Sequence, residues 1–326
     1  MNILVTGGAG YIGSITANQL NNLGHNVVVL DDLSEGKKDA VQDIKLYCGS
    51  YSDEQYVFDI LTDNNIDTVM HFGASANVKE STENPALYYD NNVTGTLQLL
   101  NACRKYRSKI SNFKFIFSST AAVYGITDNM SIDEDTAQFS PCNPYGWSKL
   151  IIEQALEDYY SAYGEEYLIF RYFCAAGATD TNGESRKSKE THLIPLTVES
   201  VINTNKVMYV YGDDFDTPDG TGIRDYVHVC DIAKAHISGM IHWNVVKNNV
   251  YNLGTDNGYS VKEVIEKANK LFNTTIKIEV TDQRAGDPAT LIANNEKFFQ
   301  YFGWKMSMSL EDMLSSAYLW RMNKRY

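Results

Sequence analysis

The sequence predicts an α/β protein: a doubly wound parallel sheet with a smaller mixed α/β unit behind it. Three observations carry that expectation. Through the first half, short β-branched runs alternate with longer segments of helical spacing, the rhythm of strand-helix-strand units. A glycine triplet, Gly7, Gly10 and Gly13, falls where the first apolar run gives way to the first helical segment. An acidic pair, Asp31 and Asp32, closes the second apolar run.

Strands are expected over 2–6, 26–30, 45–48, 67–71, 114–119 and 167–172. Several are continuous apolar runs, as expected of strands covered by helices on both faces. Helices are expected over 12–23, 53–63, 88–106 and 144–163, the last three rich in Leu, Ala, Glu and Lys at helical spacing. After Phe173 the rhythm loosens into polar, glycine-containing loops at 178–190 and 212–222, with short strands at 207–211 and 250–252. Ser260 and Glu263 form a capping box opening a helix over 261–271, and a last helix is expected over 309–322. The chain thus divides near residue 173 into a dinucleotide unit, 1–173, and a ligand-covering unit, 174–326, with interleaved segments and no low-complexity linker.

Composition narrows the function. A chain of 326 residues, 44% hydrophobic and 21% charged, buries a large core, which excludes a disordered chain and a disulfide mini-protein. Its 28 Lys plus Arg against 41 Asp plus Glu leave a formal charge of -13, a field that repels nucleic acid and anionic membranes. No nucleic-acid or membrane partner is expected. Cys48, Cys103, Cys142, Cys174 and Cys230 contain no CxxC pair and leave one thiol over, as in a reducing compartment. No apolar stretch approaches the about 20 residues of a membrane span. The N-terminus opens directly into a strand-like run, and a cytoplasmic protein is expected. The six histidines show no ligand spacing, so no metal site is expected. Trp304 and Trp320 read as packing, and the basic tail at 321–325 as a solvated helix end.

The glycine triplet has a physical task. Glycines there let the chain turn tightly, let a pyrophosphate approach the backbone, and let helix pack closely on strand. The helix N-terminus, at Tyr11 and Ile12, offers unpaired N–H groups to the phosphates. The spacing is GxxGxxG rather than GxGxxG. Asp31 is placed to accept hydrogen bonds from adenosine ribose hydroxyls, and with Asp32 it repels a 2′-phosphate. NAD rather than NADP is the expected cofactor.

Tyr145 and Lys149 stand one helical turn apart behind Pro144, which suits a first turn, so their side chains share one face. A phenol of ordinary pKa about 10 is a poor base at neutral pH, but an ammonium and a cationic nicotinamide ring would both favour the phenolate. The hydroxyls of Ser118, Ser119 and Thr120 close the fifth strand, at the edge where open α/β sheets bind ligands.

These residues carry a resemblance. The glycine triplet, Asp31, Ser118-Ser119-Thr120 with Val123-Tyr124-Gly125, and Tyr145-Gly146-Trp147-Ser148-Lys149 resemble the extended short-chain dehydrogenase/reductase superfamily and its Rossmann-type fold. Tyr89 to Val93, Arg171-Tyr172-Phe173, Gly220 to Val229, Tyr251 to Gly254 and Gly286-Asp287-Pro288 resemble the UDP-glucose 4-epimerases, a match running from Met1 to about Trp304.

The resemblance implies an isomerase that inverts sugar C4 of UDP-glucose and UDP-galactose through a 4-keto intermediate, with transient hydride transfer to tightly bound NAD. It makes Tyr145 the base, Thr120 the holder of the 4-oxygen and Lys149 the partner of both the phenol and the nicotinamide ribose. NAD contacts are implied for Gly7, Gly10, Tyr11, Ile12, Gly13, Asp31, Asp32, Ser50, Tyr51, Phe72, Gly73, Ala74, Asn92, Ser118, Lys149 and Tyr172. UDP-sugar contacts are implied for Thr120, Tyr145, Cys174, His192, Leu193, Arg224, Tyr226, Arg284, Asp287 and Leu291, with the backbone near 207–209 lining the uridine. Guanidinium is the expected donor to a diphosphate. A homodimer through the helices over 88–106 and 145–163 is implied as well.

The sequence departs from that pattern in places. Cys174 follows Arg-Tyr-Phe where Asn is usual, Ser50 and Tyr51 replace an Asp-led pair at the adenine, and Ala76 replaces a lysine near the phosphates. Tyr51 is expected to stack on adenine instead, and Asn77 to help with the phosphates. Related dehydratases and decarboxylases carry acids just after the threonine, where this chain has Ala121 and Ala122. Methyl groups transfer no protons, so epimerisation is favoured over elimination, and the presence of both Tyr145 and Lys149 argues against a noncatalytic NAD-binding protein. Leu291, at the position gating the C2 pocket, is intermediate in size and leaves UDP-GlcNAc/UDP-GalNAc open. UDP-uronates also stay open, since no feature reads C6.

Overall fold

The computed structural model describes every residue except 111, 128–130, 136–138, 189, 285–286 and 325. The apolar runs of the first half become parallel strands β1 (Asn2–Thr6), β2 (Asn26–Asp31), β3 (Lys45–Cys48), β4 (Thr68–His71), β5 (Lys114–Thr120) and β6 (Tyr167–Tyr172). The intervening helices are α1 (Tyr11–Asn22), α2 (Glu54–Asp63), α3 (Val78–Glu83), α4 (Pro85–Tyr88), α5 (Thr96–Arg107) and α6 (Pro144–Tyr163). The second half adds β7 (Cys174–Ala176), α7 (Leu193–Ile202), β8 (Val207–Tyr211), β9 (Ile223–Arg224), β10 (Tyr226–His228), α8 (Val229–Ile241), α9 (Trp243–Val246) and β11 (Asn249–Leu253). It ends with β12 (Tyr259–Ser260), α10 (Val261–Phe272), β13 (Lys277–Thr281), β14 (Thr290–Leu291), α11 (Glu296–Phe302) and α12 (Leu310–Met322).

The main sheet runs β11-β6-β5-β4-β1-β2-β3, parallel throughout. It is a Rossmann-type sheet. Ile3, Leu4 and Val5 of β1 have no exposed surface, because Ile3 and Val5 face one apolar layer and Leu4 the other. The strand order reverses at β1, so a crevice opens beyond the C-terminal ends of β1 and β4. Backbone bonds hold its rim: Gly7 N–H donates to Leu30 O and Phe72 N–H to Thr6 O, both at 2.9 Å.

Two expectations change. The strand expected over 250–252 was placed with the ligand-covering unit, but β11 pairs with β6 and completes the main sheet. Tyr251, Asn252 and Leu253 are buried there without exposed surface, which no property of the short run announces. The single helix expected over 88–106 is broken: α4 ends at Tyr88, Tyr89–Gly95 is π-helical, and α5 follows. The reason is Asn92, whose buried amide accepts from Ser75 N–H at 2.8 Å and donates to Ser75 O and Ser148 Oγ at 3.0 Å. The wider turn suits that inward reach, as π-bulges often do at functional sites.

The smaller unit packs α7, α10 and α12 against β8 through Val198, Val210, Val264, Ile265 and Leu314. The capping box of Ser260 and Glu263 is formed, and Ser309 with Asp312 makes a second one at α12.

Candidate active site

The loop between β1 and α1 is a cradle that only glycine permits. Gly7 has φ +66, and a Cβ on it would lie 2.5 Å from Gly73 N. A Cβ on Gly13 would lie 2.3 Å from Gly7 O. Gly10 heads α1 with no side-chain cap, so the first N–H groups of the helix are left for a ligand. Asp31 stands at the end of β2, its carboxylate accepting from Ala9 N–H and Leu33 N–H at 2.9 Å each. Burial pushes its pKa up, and those two bonds work against the rise. The cap of the turn before Leu33 and the ribose acceptor are thus one group, since each carboxylate oxygen keeps a second lone pair. Asp32 caps Ser34. The cradle, the free helix end and the carboxylate together fit a dinucleotide.

Tyr51 is not an open stacking face. Its ring is buried edge-on against His71, its hydroxyl donates to Asn91 O at 3.0 Å, and Gly73 and Gly95 hug its two edges. Tyr51 thus packs against Gly73 and Gly95 rather than standing free in the crevice. Ser50 turns its hydroxyl to Ser52. Asn77 is occupied too, capping α3 through Glu80 N–H.

Across the crevice, β5 delivers Ser118, Ser119 and Thr120 at its C-terminal end, and α6 starts opposite them. Asn143 caps α6 by accepting from Gly146 N–H at 2.9 Å, with Pro144 in the first turn. Tyr145 follows in that turn, facing Thr120. Burial raises its pKa, while the Thr120 hydroxyl and the Arg186 guanidinium offset part of the rise. Lys149 Nζ donates to Ser118 O at 2.8 Å and lies over the Phe117 ring. Burial draws its ammonium down to about 7, against the pull of Glu153. Nearby, the Tyr172 hydroxyl sits 2.6 Å from His236 Nε2. A base, an orienting hydroxyl and a titrating lysine therefore share one edge.

The facing wall comes from the smaller unit. Pairing of β10 with β7 sets Tyr226 beside Cys174, and pairing of β14 with β9 sets Leu291 beside Arg224. Burial raises the Cys174 thiol to about 11, with Arg224, Asp225 and Asp287 within charge range. Tyr226 is buried, so its ring backs the wall. Arg284 lies 3.8 Å over the Tyr211 ring on β8. His192 stands just before α7, with no side-chain cap bond to it, and Leu193 opens the helix. Gly286 lies outside the described residues. Sequence reasoning passed over Asp225, whose fully buried carboxylate accepts from Thr255 N–H at 2.9 Å and Ala293 N–H at 3.2 Å, tying the Arg224 strand to two neighbouring loops.

A UDP-glucose 4-epimerase of Halalkalibacterium halodurans is 43% identical over 324 residues, covering 98% of this chain and 95% of that protein. The chain belongs to the UDP-glucose 4-epimerase family. Residues 4–317 also match the broader family described as GDP-mannose 4,6 dehydratase. Among solved structures, the epimerase of Bifidobacterium longum in complex with NAD+ and UDP superposes with TM-score 0.92 at 37% identity, covering 99% of both chains. The UDP-Glc/GlcNAc 4-epimerase of Campylobacter jejuni superposes with TM-score 0.84 at 38% identity, again over 99% of both.

In this family member, residues 182–187 are strapped onto α1 and the loop after β2, a contact that the sequence did not reveal. Asn182, buried, donates to Ser14 Oγ at 3.1 Å and Ala40 O at 2.8 Å, and accepts from Asn18 at 3.3 Å. Lys187 N–H donates to Glu35 beyond β2 at 2.9 Å. Between these points, Glu184 binds His192 at 2.8 Å and Arg186 at 2.9 Å. Burial alone would raise Glu184, but those two partners hold its carboxyl below the usual range. Glu184, Glu190 and His192 offer ligand atoms within 4.8 Å of one another, a cluster the histidine spacing did not suggest; Arg186 already supplies its positive charge. Removing a buried, fully bonded amide costs about 1–3 kcal/mol. Asn182→Ala is therefore expected to lower stability by that order and to speed loss of bound dinucleotide, measured by thermal unfolding and by cofactor retained through gel filtration. Unchanged retention would exclude the strap from holding the cofactor.

Proposed function

We propose that the protein is a UDP-glucose/UDP-galactose 4-epimerase, and the observation that carries this reading is the meeting of Tyr145 and Lys149, one turn apart on α6, with the end of β5, where Lys149 Nζ donates to Ser118 O at 2.8 Å and the Thr120 hydroxyl favours the Tyr145 phenolate. Bound NAD supplies the reversible acceptor for the hydride of sugar C4. Tyr145 takes the proton of the 4-hydroxyl at its phenolic oxygen and returns it after the face of the sugar has changed. Thr120 fixes the 4-oxygen. Arg224 and Arg284 hold the diphosphate, so the nucleotide stays anchored while the sugar turns. Leu193, His192, Cys174, Tyr226, Asp287 and Leu291 shape the remaining wall. Ala121 and Ala122 offer no acid or base for loss of water, which disfavours the dehydratase chemistry named by the broader family.

Further supports bear on setting. The five cysteines are free, consistent with a reducing cytoplasm. No helix among the described residues is long and apolar enough to cross a membrane. Trp147 and Ile151 project from α6 at 42% and 39% exposure, which favours a homodimer through that helix.

A second reading, UDP-GlcNAc/UDP-GalNAc epimerisation, is favoured by Leu291 beside Arg224 and by the likeness to the Campylobacter enzyme. Both are tested together. The purified protein is expected to carry NAD and to interconvert UDP-galactose and UDP-glucose without added reductant. Values of kcat/KM over UDP-Glc, UDP-Gal, UDP-GlcNAc, UDP-GalNAc and the uronates rank the readings. No turnover on any of them, even with NAD supplied, would sink the proposal.

A further inference from the structure

Tyr145, Lys149 and Glu153 recur at one-turn intervals on α6 and meet three consecutive residues of β5. Tyr145 faces Thr120, Lys149 donates to the carbonyl of Ser118, and Glu153 accepts from the hydroxyl of Ser119. The first two carry the reaction proposed above; the third has no part in it so far. Yet Glu153 is an acid in the core, 6% exposed, and its partner Arg171 is 4% exposed. Arg171 Nε lies 3.1 and 3.2 Å from the two carboxylate oxygens. Its Nη1 donates to Tyr124 at 2.9 Å, and Tyr124 donates to Asn252 at 2.7 Å. Such a pair is weak evidence for stability, since apolar replacements of both partners are often neutral or better. Its position suggests a different task.

The charged and titratable groups facing Lys149 are few. On α6 they are Tyr145 and Glu153. On β4 it is His71, whose pKa is pushed well down by burial and then by Lys149. On β6 they are Tyr172, bonded to His236, and Arg171, paired with Glu153. From β5 come no charges, but the Ser118 carbonyl accepts from Nζ and the Phe117 ring lies 4.8 Å from it. Glu153 is the anion of this set, and it opposes the fall that burial imposes on the lysine.

We propose that Glu153 is a positioning residue of the catalytic site: fixed by Ser119 and Arg171, it supplies the negative field that keeps Lys149 protonated beneath Tyr145. Its effect on turnover rests on the epimerase reading, whereas its effect on Lys149 does not. The test therefore reads both in the holoenzyme. Glu153→Gln keeps the shape and loses the charge. The Lys149 titration, followed by NMR of lysine-labelled protein and assigned against Lys149→Met, is expected to move down by about one pH unit. The alkaline limb of kcat should move with it, so that kcat falls about tenfold near pH 8 and less than about threefold near pH 6. Because Gln leaves Arg171 buried and unpaired, Glu153→Gln with Arg171→Met is the second variant; it removes both charges and should show a smaller downward shift, since the Arg171 cation is gone too, at a near-wild-type Tm. Glu153→Asp should restore the limb. An unshifted Lys149 titration in the variants, with only a uniform loss of kcat or a lower Tm, would overturn the proposal. A wild-type enzyme inactive on UDP-sugars would defeat the epimerase reading alone, and the NMR titration would still decide the role of Glu153.

Discussion

Tyr145→Phe is expected to abolish most turnover while leaving the fold intact. The change removes one oxygen, and that oxygen is the titrating group whose phenolate the Thr120 hydroxyl favours at the reacting edge. The ring itself stays, packed edge-on against Tyr88 at 6.4 Å between centroids, so Tm should hold and UDP should bind as before. A positioned acid-base group contributes about a hundredfold to ten-thousandfold, which is roughly 3–5 kcal/mol of barrier at about 1.4 kcal/mol per factor of ten. The phenol needs that positioning, because burial raises its pKa and makes the phenolate costly until cationic groups gather round it. Lys149, held at about 7, loses its charge as pH rises through neutrality. If that charge supports the phenolate, wild-type kcat falls on the alkaline side. The check is kcat on UDP-galactose for wild type and variant with equal NAD content. Activity within about threefold of wild type would remove Tyr145 from the chemistry.

What could be read from the sequence depended on how local the physics was. β1 was legible because Ile3, Leu4 and Val5 form a run apolar on both faces, and the glycine cradle because three glycines between strand and helix have few other uses. Tyr145 and Lys149 were legible because helical spacing alone puts them on one face. The misses were non-local. Nothing in Asn249–Leu253 states that its partner is Leu168–Tyr172, far back in the chain. The π-helical turn at Tyr89–Gly95 reflects the bonds of Asn92 to Ser75 and Ser148, both outside that segment. Asn182, Asp225 and Glu153 were missed because polar side chains are ordinarily exposed, and only the fold shows that these are buried and paired. Glu153 alone carried a signal: it repeats the one-turn spacing that had already joined Tyr145 to Lys149.

Gly13→Ala should cost the enzyme its cofactor. In an ordinary helix the change would be stabilising by about 1 kcal/mol. Here the added Cβ would sit 2.3 Å from Gly7 O and 2.9 Å from Gly8 Cα, both backbone atoms that cannot rotate aside. Nor can Gly7 retreat freely, because it rests against Gly73 on the far rim, where its own Cβ would lie only 2.5 Å from the Gly73 nitrogen. Either α1 moves off the sheet or the turn closed by Gly10 N–H on Gly7 O opens. Both displace the free helix end from the crevice. Overpacking of this kind costs about 1–3 kcal/mol, which outweighs the propensity gain, and affinity for NAD should fall by roughly a hundredfold or more, about 2.7 kcal/mol. Gly10→Ala is the contrast for folding alone, since its Cβ would meet only Gly7 O, at 3.2 Å. The measurement is Tm with and without added NAD. A ligand that binds only the folded state raises Tm by mass action, and that rise should vanish in Gly13→Ala at NAD concentrations that still raise Tm for the wild type. A full NAD-dependent rise in Gly13→Ala would mean that the cradle does not hold the dinucleotide.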